Sequence, residues 1–392
     1  MAEESGYRRL IWVIVAIGAV VALVLPARAL SSARGSTELP DATGPLFVGV
    51  THTQDTIEPW DPQPAQALAE DILRRAAPVQ NQFLMGWGAL NPEPSPGQYD
   101  WQSLDQRLAR IGATGGTPVV TLCCAPDWMK GGTAGRTDWD RLGVAPDPEH
   151  YDDFAALAVA VAQRYPQVRH FAVWSELRGF YNPWGNDWDM PQFVAFYDTV
   201  YRALKQHDPT LQVGGPGPVM DSWAFAEAMS DPSDVRGAWG VVDQRALDAL
   251  SYWLEHAAGA DFLTLNASTA NRYTGRTIPV SEAVGKLRAI GDWIRARTDL
   301  PQWWMEVYSP AQDRTATSYS HWIPATPESI DLALDTIRAA GGHVALLWNP
   351  QGTRTLCTNC LWTWPGSPGG SRETEFVPVL AAHAALTEGL TP

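Results

Sequence analysis

Eight short apolar runs, each followed by a stretch with helical spacing, recur along the 392-residue chain. They predict strands at Leu46–His52, Gln82–Ala89, Pro118–Cys123, His170–Ser175, Leu211–Gly215, Asp261–Asn266, Gln302–Val307 and His343–Trp348. Successive starts lie about 42 residues apart, room for a strand, a helix and a working loop in each unit. Apolar runs without polar alternation suit strands covered on both faces, as in a parallel sheet. The intervening segments carry helix punctuation. Asp147-Pro148 caps and opens a helix that places Phe154, Leu157, Ala158, Val161 and Tyr165 on one face. Thr326-Pro327-Glu328 opens another with Ile330, Leu334 and Ile337 inward, and Gly341-Gly342 ends it. Alternation of strand and helix predicts an α/β fold, and eight repeats predict a closed (β/α)8 barrel over residues 46–392. An open doubly wound sheet is the alternative, but it normally carries a Gly-rich turn after its first strand. Here that turn is Thr53-Gln54-Asp55-Thr56.

Upstream of the repeats, Leu10–Leu25 contains no charge, follows Arg8-Arg9 and precedes Pro26 and the triplet Ala27-Arg28-Ala29. Residues 1–29 therefore read as an export segment, either a cleaved signal peptide or a retained membrane anchor. The paired arginines favour a cytoplasmic N-terminus, which places the remaining chain outside the cytoplasm in both cases. Residues 30–45, rich in Ser, Thr, Gly and Pro, read as a tether. In an exported chain the four cysteines point to disulfides. Cys357 and Cys360 suit a small loop staple, although spacing leaves three pairings of the four open. A zinc ribbon would need a second C-x-x-C, which Cys123-Cys124 does not provide.

The formal charge of −15 excludes nucleic-acid backbone binding as the main activity. Several enzyme chemistries are also absent from the sequence. There is no G-x-S-x-G elbow, no Walker loop and no H-E-x-x-H, and the eight histidines are scattered, so no metal or other cofactor is expected. Acid–base work is left to carboxylates. In a barrel the working residues sit at the C-terminal ends of strands, and two glutamates stand there. Glu176 follows Phe171-Ala172-Val173-Trp174-Ser175, and Glu306 follows Gln302-Trp303-Trp304-Met305. Strands four and seven are three steps apart in a ring of eight, so their ends face each other across the mouth. Two carboxyls flanking a bond are what glycoside hydrolysis needs, one to protonate the leaving oxygen and one to attack the anomeric carbon. Nineteen tryptophans add a supply of faces on which sugar rings stack.

Four segments, Phe83–Trp128, His170–Pro183, Pro301–Ser309 and Val344–Pro350, carry a resemblance. Within them stand Trp87-Gly88-Ala89-Leu90-Asn91-Pro92-Glu93, Pro96-Gly97-Gln98-Tyr99-Asp100-Trp101 with Leu104-Asp105, and Ala125-Pro126-Asp127-Trp128. The chain resembles the retaining glycoside hydrolases of the (β/α)8-barrel clan A, nearest to family 39, the β-xylosidase and α-L-iduronidase type, and to family 5. The resemblance implies Glu176 as acid/base and Glu306 as nucleophile. It also implies Trp348 as an aromatic floor under the reacting sugar. His52, Trp87, Trp174, Asn266 and Tyr308 are further candidates for contact with substrate. One departure stands out: the clan usually has Asn immediately before the acid/base, and this chain has Ser175. A hydroxyl cannot offer the paired groups of a carboxamide, so the contact to the sugar 2-hydroxyl must be weaker, mediated by water, or made by another residue. Tyr181, Trp184 and Trp188, on the loop after Glu176, are candidates for an outer subsite. The expected partner is thus a carbohydrate. The alternatives are a barrel that binds glycan without cleaving it and a transglycosylase that remodels cell-envelope polymers.

Overall fold

The computed structural model describes residues 40–226, 231–272, 278–309 and 325–392. The apolar segment Leu10–Leu25 and the first part of the tether lie outside these residues. The end of the tether is bonded to the barrel, Ala42 N donating to Ala339 O at 2.9 Å and Asp41 pairing with Arg288 at 2.6 Å. Among the described residues no helix is long and apolar enough to cross a membrane.

Eight parallel strands form one closed ring: β1 Phe47–Thr51, β2 Val79–Phe83, β3 Thr117–Leu122, β4 His170–Val173, β5 Gln212–Val219, β6 Phe262–Ser268, β7 Gln302–Tyr308 and β8 Gly342–Trp348. They pair in chain order, and β1 closes on β8 from Phe47↔Val344 to Thr51↔Trp348. Around them run α1 Gln63–Ala76, α2 Gln102–Ala113, α3 Tyr151–Arg164, α4 Met190–His207, α5 Gln244–His256, α6 Gly285–Arg295, α7 Pro327–Ala339 and α8 Phe376–Ala385. The predicted (β/α)8 barrel is the fold. Helix α3 buries Phe154, Leu157, Ala158 and Val161 as its spacing predicts. Helix α7 begins with a capping box in which Thr326 and Ser329 exchange side-chain and backbone bonds.

Two strands differ from expectation by more than two residues at an end, each for a physical reason. The apolar run Phe83-Leu84-Met85 drew the predicted second strand to Gln82–Ala89, whereas β2 is Val79–Phe83. Its polar residues Gln80, Asn81 and Gln82 are all buried and make hydrogen bonds inside the fold. The fifth strand was expected to stop before Pro216, yet β5 continues through two prolines to Val219. Parallel ladders bond each strand in a slanted pattern, and β5 keeps pairing with β6 through Thr264↔Pro216 and Asn266↔Val219.

The barrel interior is layered. At the bottom Phe47, Val79, Val119, Ala172, Phe262, Trp303, Met305, Val344 and Leu346 fill the ring. Phe262 stacks on Trp303 at 4.2 Å between ring centroids. The large rings need room, which β5 supplies at Gly214, where a Cβ would sit 2.4 Å from the Phe262 ring. Above this lies a polar layer. Thr121 Oγ1 donates to Asn81 Oδ1 at 2.8 Å, Asn81 Nδ2 to Thr51 Oγ1 at 3.3 Å, and Thr51 Oγ1 to Met305 O at 2.6 Å.

Insertions on the C-terminal side of the ring complete the fold. A hairpin of Tyr181–Asn182 and Asp187–Trp188 follows β4, and a three-stranded antiparallel sheet of Ser222–Trp223, Pro232–Gly237 and Gly240–Asp243 follows β5. The cysteines pair as Cys357–Cys360, the expected loop staple, and as the adjacent Cys123–Cys124.

Ring closure leaves no slack where β1 meets β2, because a Cβ at Gly49 would lie 1.7 Å from the carbonyl oxygen of Val79. Gly49→Ala should destabilise the protein by about 3 kcal/mol or more, since backbone cannot yield as a side chain does. Thermal or urea unfolding checks this, and a loss below ~1 kcal/mol would contradict the packing described.

Candidate active site

A cavity of about 440 Å³ opens at the C-terminal ends of the strands, lined among others by Trp87, Glu176, Arg178, Asn266, Glu306, Tyr308 and Trp348. Each acid reaches it by a local distortion of its strand. In β7 the register against β6 slips at Met305, so that Leu265 pairs with Trp304 but Asn266 pairs with Glu306. This bulge turns Met305 and Glu306 toward the interior in succession, while Trp304 and Val307 pack outward among the helices. The polar chain from Thr121 through Asn81 and Thr51 ends on the Met305 carbonyl and so pins the bulge.

Glu176 is aimed by a turn beyond β4 in which Trp174, Glu176 and Leu177 have φ of 71°, 56° and 53°. Three left-handed non-glycine residues in one turn are costly, and such strain clusters where a side chain must be presented in a set direction. Two anchors hold it. Glu176 N donates to Gly217 O at 3.0 Å, using the part of β5 beyond Pro216, and Trp174 Nε1 donates to Arg178 O at 2.8 Å.

The two carboxyls meet in one cavity. Asn266 Nδ2 donates to Glu176 Oε1 at 3.3 Å, and Asn266 stands opposite Glu306 in the β6–β7 register. Tyr308 donates its hydroxyl to Glu306 Oε2 at 3.0 Å. Arg178 pairs with Glu176 Oε2, and its guanidinium lies 5.2 Å above the Trp87 ring. Glu306 is only 5% exposed. Burial first, and then the negative charge of Glu176, push its carboxyl up to about 8, against the opposing pull of Tyr308, Arg178 and Asn266. Asp55, at the rim, is also raised by burial. Trp87, Trp348 and Tyr308 form one aromatic wall, Trp348 lying 6.5 Å from each of the other two.

The structure thus gathers Glu176, Glu306, Trp87, Asn266, Tyr308 and Trp348 in one cavity. Ser175 lines a separate pocket of about 10 Å³ beneath, together with Asn266 and Glu306. Two expected residues lie elsewhere. His52 bonds Gln80 at 2.9 Å on the outer side of the ring, and burial pushes its imidazole down to about 4, so it is a neutral packing group. The Trp174 ring packs outward against Phe154, Phe180 and Phe196 and supports the Glu176 turn, while the residue lines the small pocket with Ser175. Asn266 is buried inside the barrel, so the triplet Asn266-Ala267-Ser268, although it has the pattern of a glycosylation sequon, is not a surface acceptor. Arg178 was not anticipated. Its signal was available, since a cation two residues from a candidate acid meets it across a tight turn. Nothing local marked Asn81 and Thr51 as supports, because their role depends on ring register. Among the described residues no cluster of His, Cys, Asp and Glu fits a metal ion.

The same barrel occurs in solved glycosidases. A GH39 enzyme from Xanthomonas axonopodis pv. citri superposes with a TM-score of 0.56 at 18% identity, over 87% of this chain and 66% of that one. A monomeric β-xylosidase from Caulobacter crescentus gives 0.57 at 18%, covering 89% and 70%. A GH42 β-galactosidase from G. stearothermophilus gives 0.58 at 12%, covering 87% and 56%. The fold is that of these clan A enzymes. This chain spans about two thirds of the length of the first of them. No protein-family model and no curated protein matches the sequence.

A buried acid held neutral makes stability depend on pH with a definite sign. Between pH 4.5, the ordinary glutamate value, and about 8 the unfolded chain has released this proton while the folded chain retains it. Stability therefore falls as pH rises through that window, by about 1.4 kcal/mol per unit for a fully retained proton. Glu306→Gln abolishes this term, so its melting-temperature advantage over the parent should grow from pH 5 to pH 8. A constant difference would show that Glu306 is ionised throughout.

Proposed function

We propose that the protein is an exported retaining glycoside hydrolase acting on a polysaccharide or glycoconjugate, with Glu306 as nucleophile and Glu176 as acid/base. The observation that carries this reading is the convergence of two carboxyls, from the ends of β4 and β7, on one cavity in which the charge of Glu176 acts on Glu306. Direct attack by one of two facing carboxyls uses separations of about 5–5.5 Å, short of the ~6.5–9.5 Å that admits an attacking water.

Two interacting acids, one of them buried, keep one proton between them across neutral pH, because the second ionisation must create like charges side by side. One proton and one charge are what the first step consumes. Glu306 attacks the anomeric carbon as its carboxylate, the glycosidic bond breaks, and the shared proton passes through Glu176 to the leaving oxygen. In the second step Glu176, now a carboxylate, takes a proton from water as that water displaces Glu306, which restores the pair and retains configuration. Tyr308 holds the Glu306 oxygen that does not attack. Trp348 and Trp87 supply the apolar wall for the sugar face. Asn266 brings from β6 the carboxamide that Ser175 cannot provide next to the acid/base.

For Glu176 to act as acid it must release Arg178, and this engagement is what favours the second reading, a barrel that binds glycan without cleaving it. Export is supported by the apolar Leu10–Leu25 segment and by two disulfides, which persist in oxidising compartments.

Turnover of a panel of aryl glycosides and envelope polysaccharides separates the readings. On whichever substrate is cleaved, Glu306→Gln should lower kcat/KM by about 10⁴-fold or more with sugar binding retained. Glu176→Gln should cost ~10²–10⁴-fold on substrates with poor leaving groups and much less on activated ones. The pH profile has a required sign. Above about 8 the pair has lost the proton needed by the leaving group, so kcat/KM should fall as pH rises through that value. An alkaline limb near pH 5 would contradict the shared-proton account.

A further inference from the structure

The hairpin after Glu176 holds a residue that the proposed chemistry does not use. Trp184 sits at its tip and is 97% exposed, the most exposed large hydrophobic residue of the described chain. The surrounding backbone is nevertheless tightly braced. Tyr181 pairs with Trp188 and Asn182 with Asp187 across the hairpin. Asn182 Oδ1 accepts from the backbone nitrogens of Trp184 and Gly185 at 3.0 and 3.3 Å, and the Tyr181 hydroxyl donates to Asn186 Oδ1 at 2.6 Å. Arg245 fastens the turn to the barrel, donating to Asn186 O and Oδ1 at 3.0 and 2.9 Å. That arginine is itself locked by two bonds to the buried Asp243. At the base, Phe180 is buried and its carbonyl accepts from Asp189 N at 2.7 Å, while Trp188 packs against the core.

A large ring kept in water on a rigid turn has already lost the freedom that binding would otherwise cost it, which is the condition under which an aromatic contact adds most to affinity. Tyr181, at 46% exposure, and Pro183 in the same hairpin are exposed as well, and Asn182 and Asp187 add polar groups to it. An apolar face edged by hydrogen-bonding groups matches the alternation of C–H faces and hydroxyls on a pyranose or furanose ring. Position supplies the remaining argument. Trp184 lies six residues from Arg178, which lines the cavity, and thus within about 20 Å of the cavity wall. It also belongs to the loop that carries Glu176, the group on the leaving side of the scissile bond.

We infer that the braced hairpin Tyr181–Trp188 is a glycan-binding subsite on the leaving-group side, with Trp184 stacking on a sugar unit beyond those held in the cavity. The substrate is then an oligomer or polymer that continues past the cleaved bond, rather than a glycoside with a small aglycone. This inference rests on the role proposed for Glu176, but its test does not need turnover.

Affinity gel electrophoresis of the full chain through xylan, laminarin, arabinogalactan and carboxymethylcellulose reads binding alone. At least one of these polymers should retard the parent and the Glu306→Gln variant, and Trp184→Ala should reduce that retardation by tenfold or more in apparent Kd. Trp60→Ala, which removes another highly exposed tryptophan (80%) from the loop after β1, should leave it unchanged. Unchanged melting temperatures for both variants exclude misfolding. Where a substrate is cleaved, Trp184→Ala should raise KM for the polymer about tenfold and leave kcat/KM for an aryl glycoside within twofold. The inference is overturned if Trp184→Ala binds every polymer like the parent, if Trp60→Ala loses binding equally, or if aryl glycoside cleavage falls as much as polymer cleavage. It is likewise overturned if Trp184 is needed instead for sedimentation with vesicles of phosphatidylethanolamine and phosphatidylglycerol. Absence of all turnover with polymer binding intact and dependent on Trp184 would remove the hydrolase reading and keep this subsite.

Discussion

Closing β1 on β8 removes every open edge from the main sheet and creates an interior that side chains must fill. The bottom of that interior is apolar and tightly filled, so polar groups can be admitted only toward the mouth, where each must find a partner. The Thr121–Asn81–Thr51 chain meets that demand and spends its last hydrogen bond on the carbonyl of a bulged residue, Met305. A barrel layer and an acid's orientation are thereby the same structural fact. Weakening the layer would let β7 relax into regular register, and a regular strand turns Glu306 to the opposite face.

The two acids sit in contrasting settings. Glu306 is deep, bonded by Tyr308, and raised by burial. Glu176 stands on a strained turn against a partly exposed arginine. One residue is held still by the barrel, and the other rides on a loop with a partner it can exchange. Double displacement asks for this asymmetry, since one carboxyl stays bonded to sugar while its counterpart serves successive partners.

Much of this was legible in the sequence, and the failures share a cause. Repeated apolar runs and the cap at Thr326-Pro327 announce strands, helices and closure, because those signals are local, whereas Asp147-Pro148 opens a short 3-10 turn and α3 begins only at Tyr151. The ends of strands four and seven then single out Glu176 and Glu306. Strand β2 was misplaced because its buried Gln80, Asn81 and Gln82 look like surface residues until neighbouring strands supply their partners. His52 and Trp174 stand next to strand ends as catalytic residues do, but at each the pleat or the local turn directs the side chain outward. Arg178 and the supporting layer depend on distances across the ring, which no window of sequence contains.

The loop after β8 contributes Asn349, Gln351, Thr353 and the linked Cys357 and Cys360 to the cavity wall. Thr53 of the loop after β1 ties to it, donating to Asn349 Oδ1 at 2.8 Å. This wall is stitched together by a covalent link and by bonds to an adjoining loop, and neither of the two acids is part of it. Mutation can therefore recontour the mouth at one side while the reacting centre stays intact, which makes this loop the natural place for related barrels to diverge in diet.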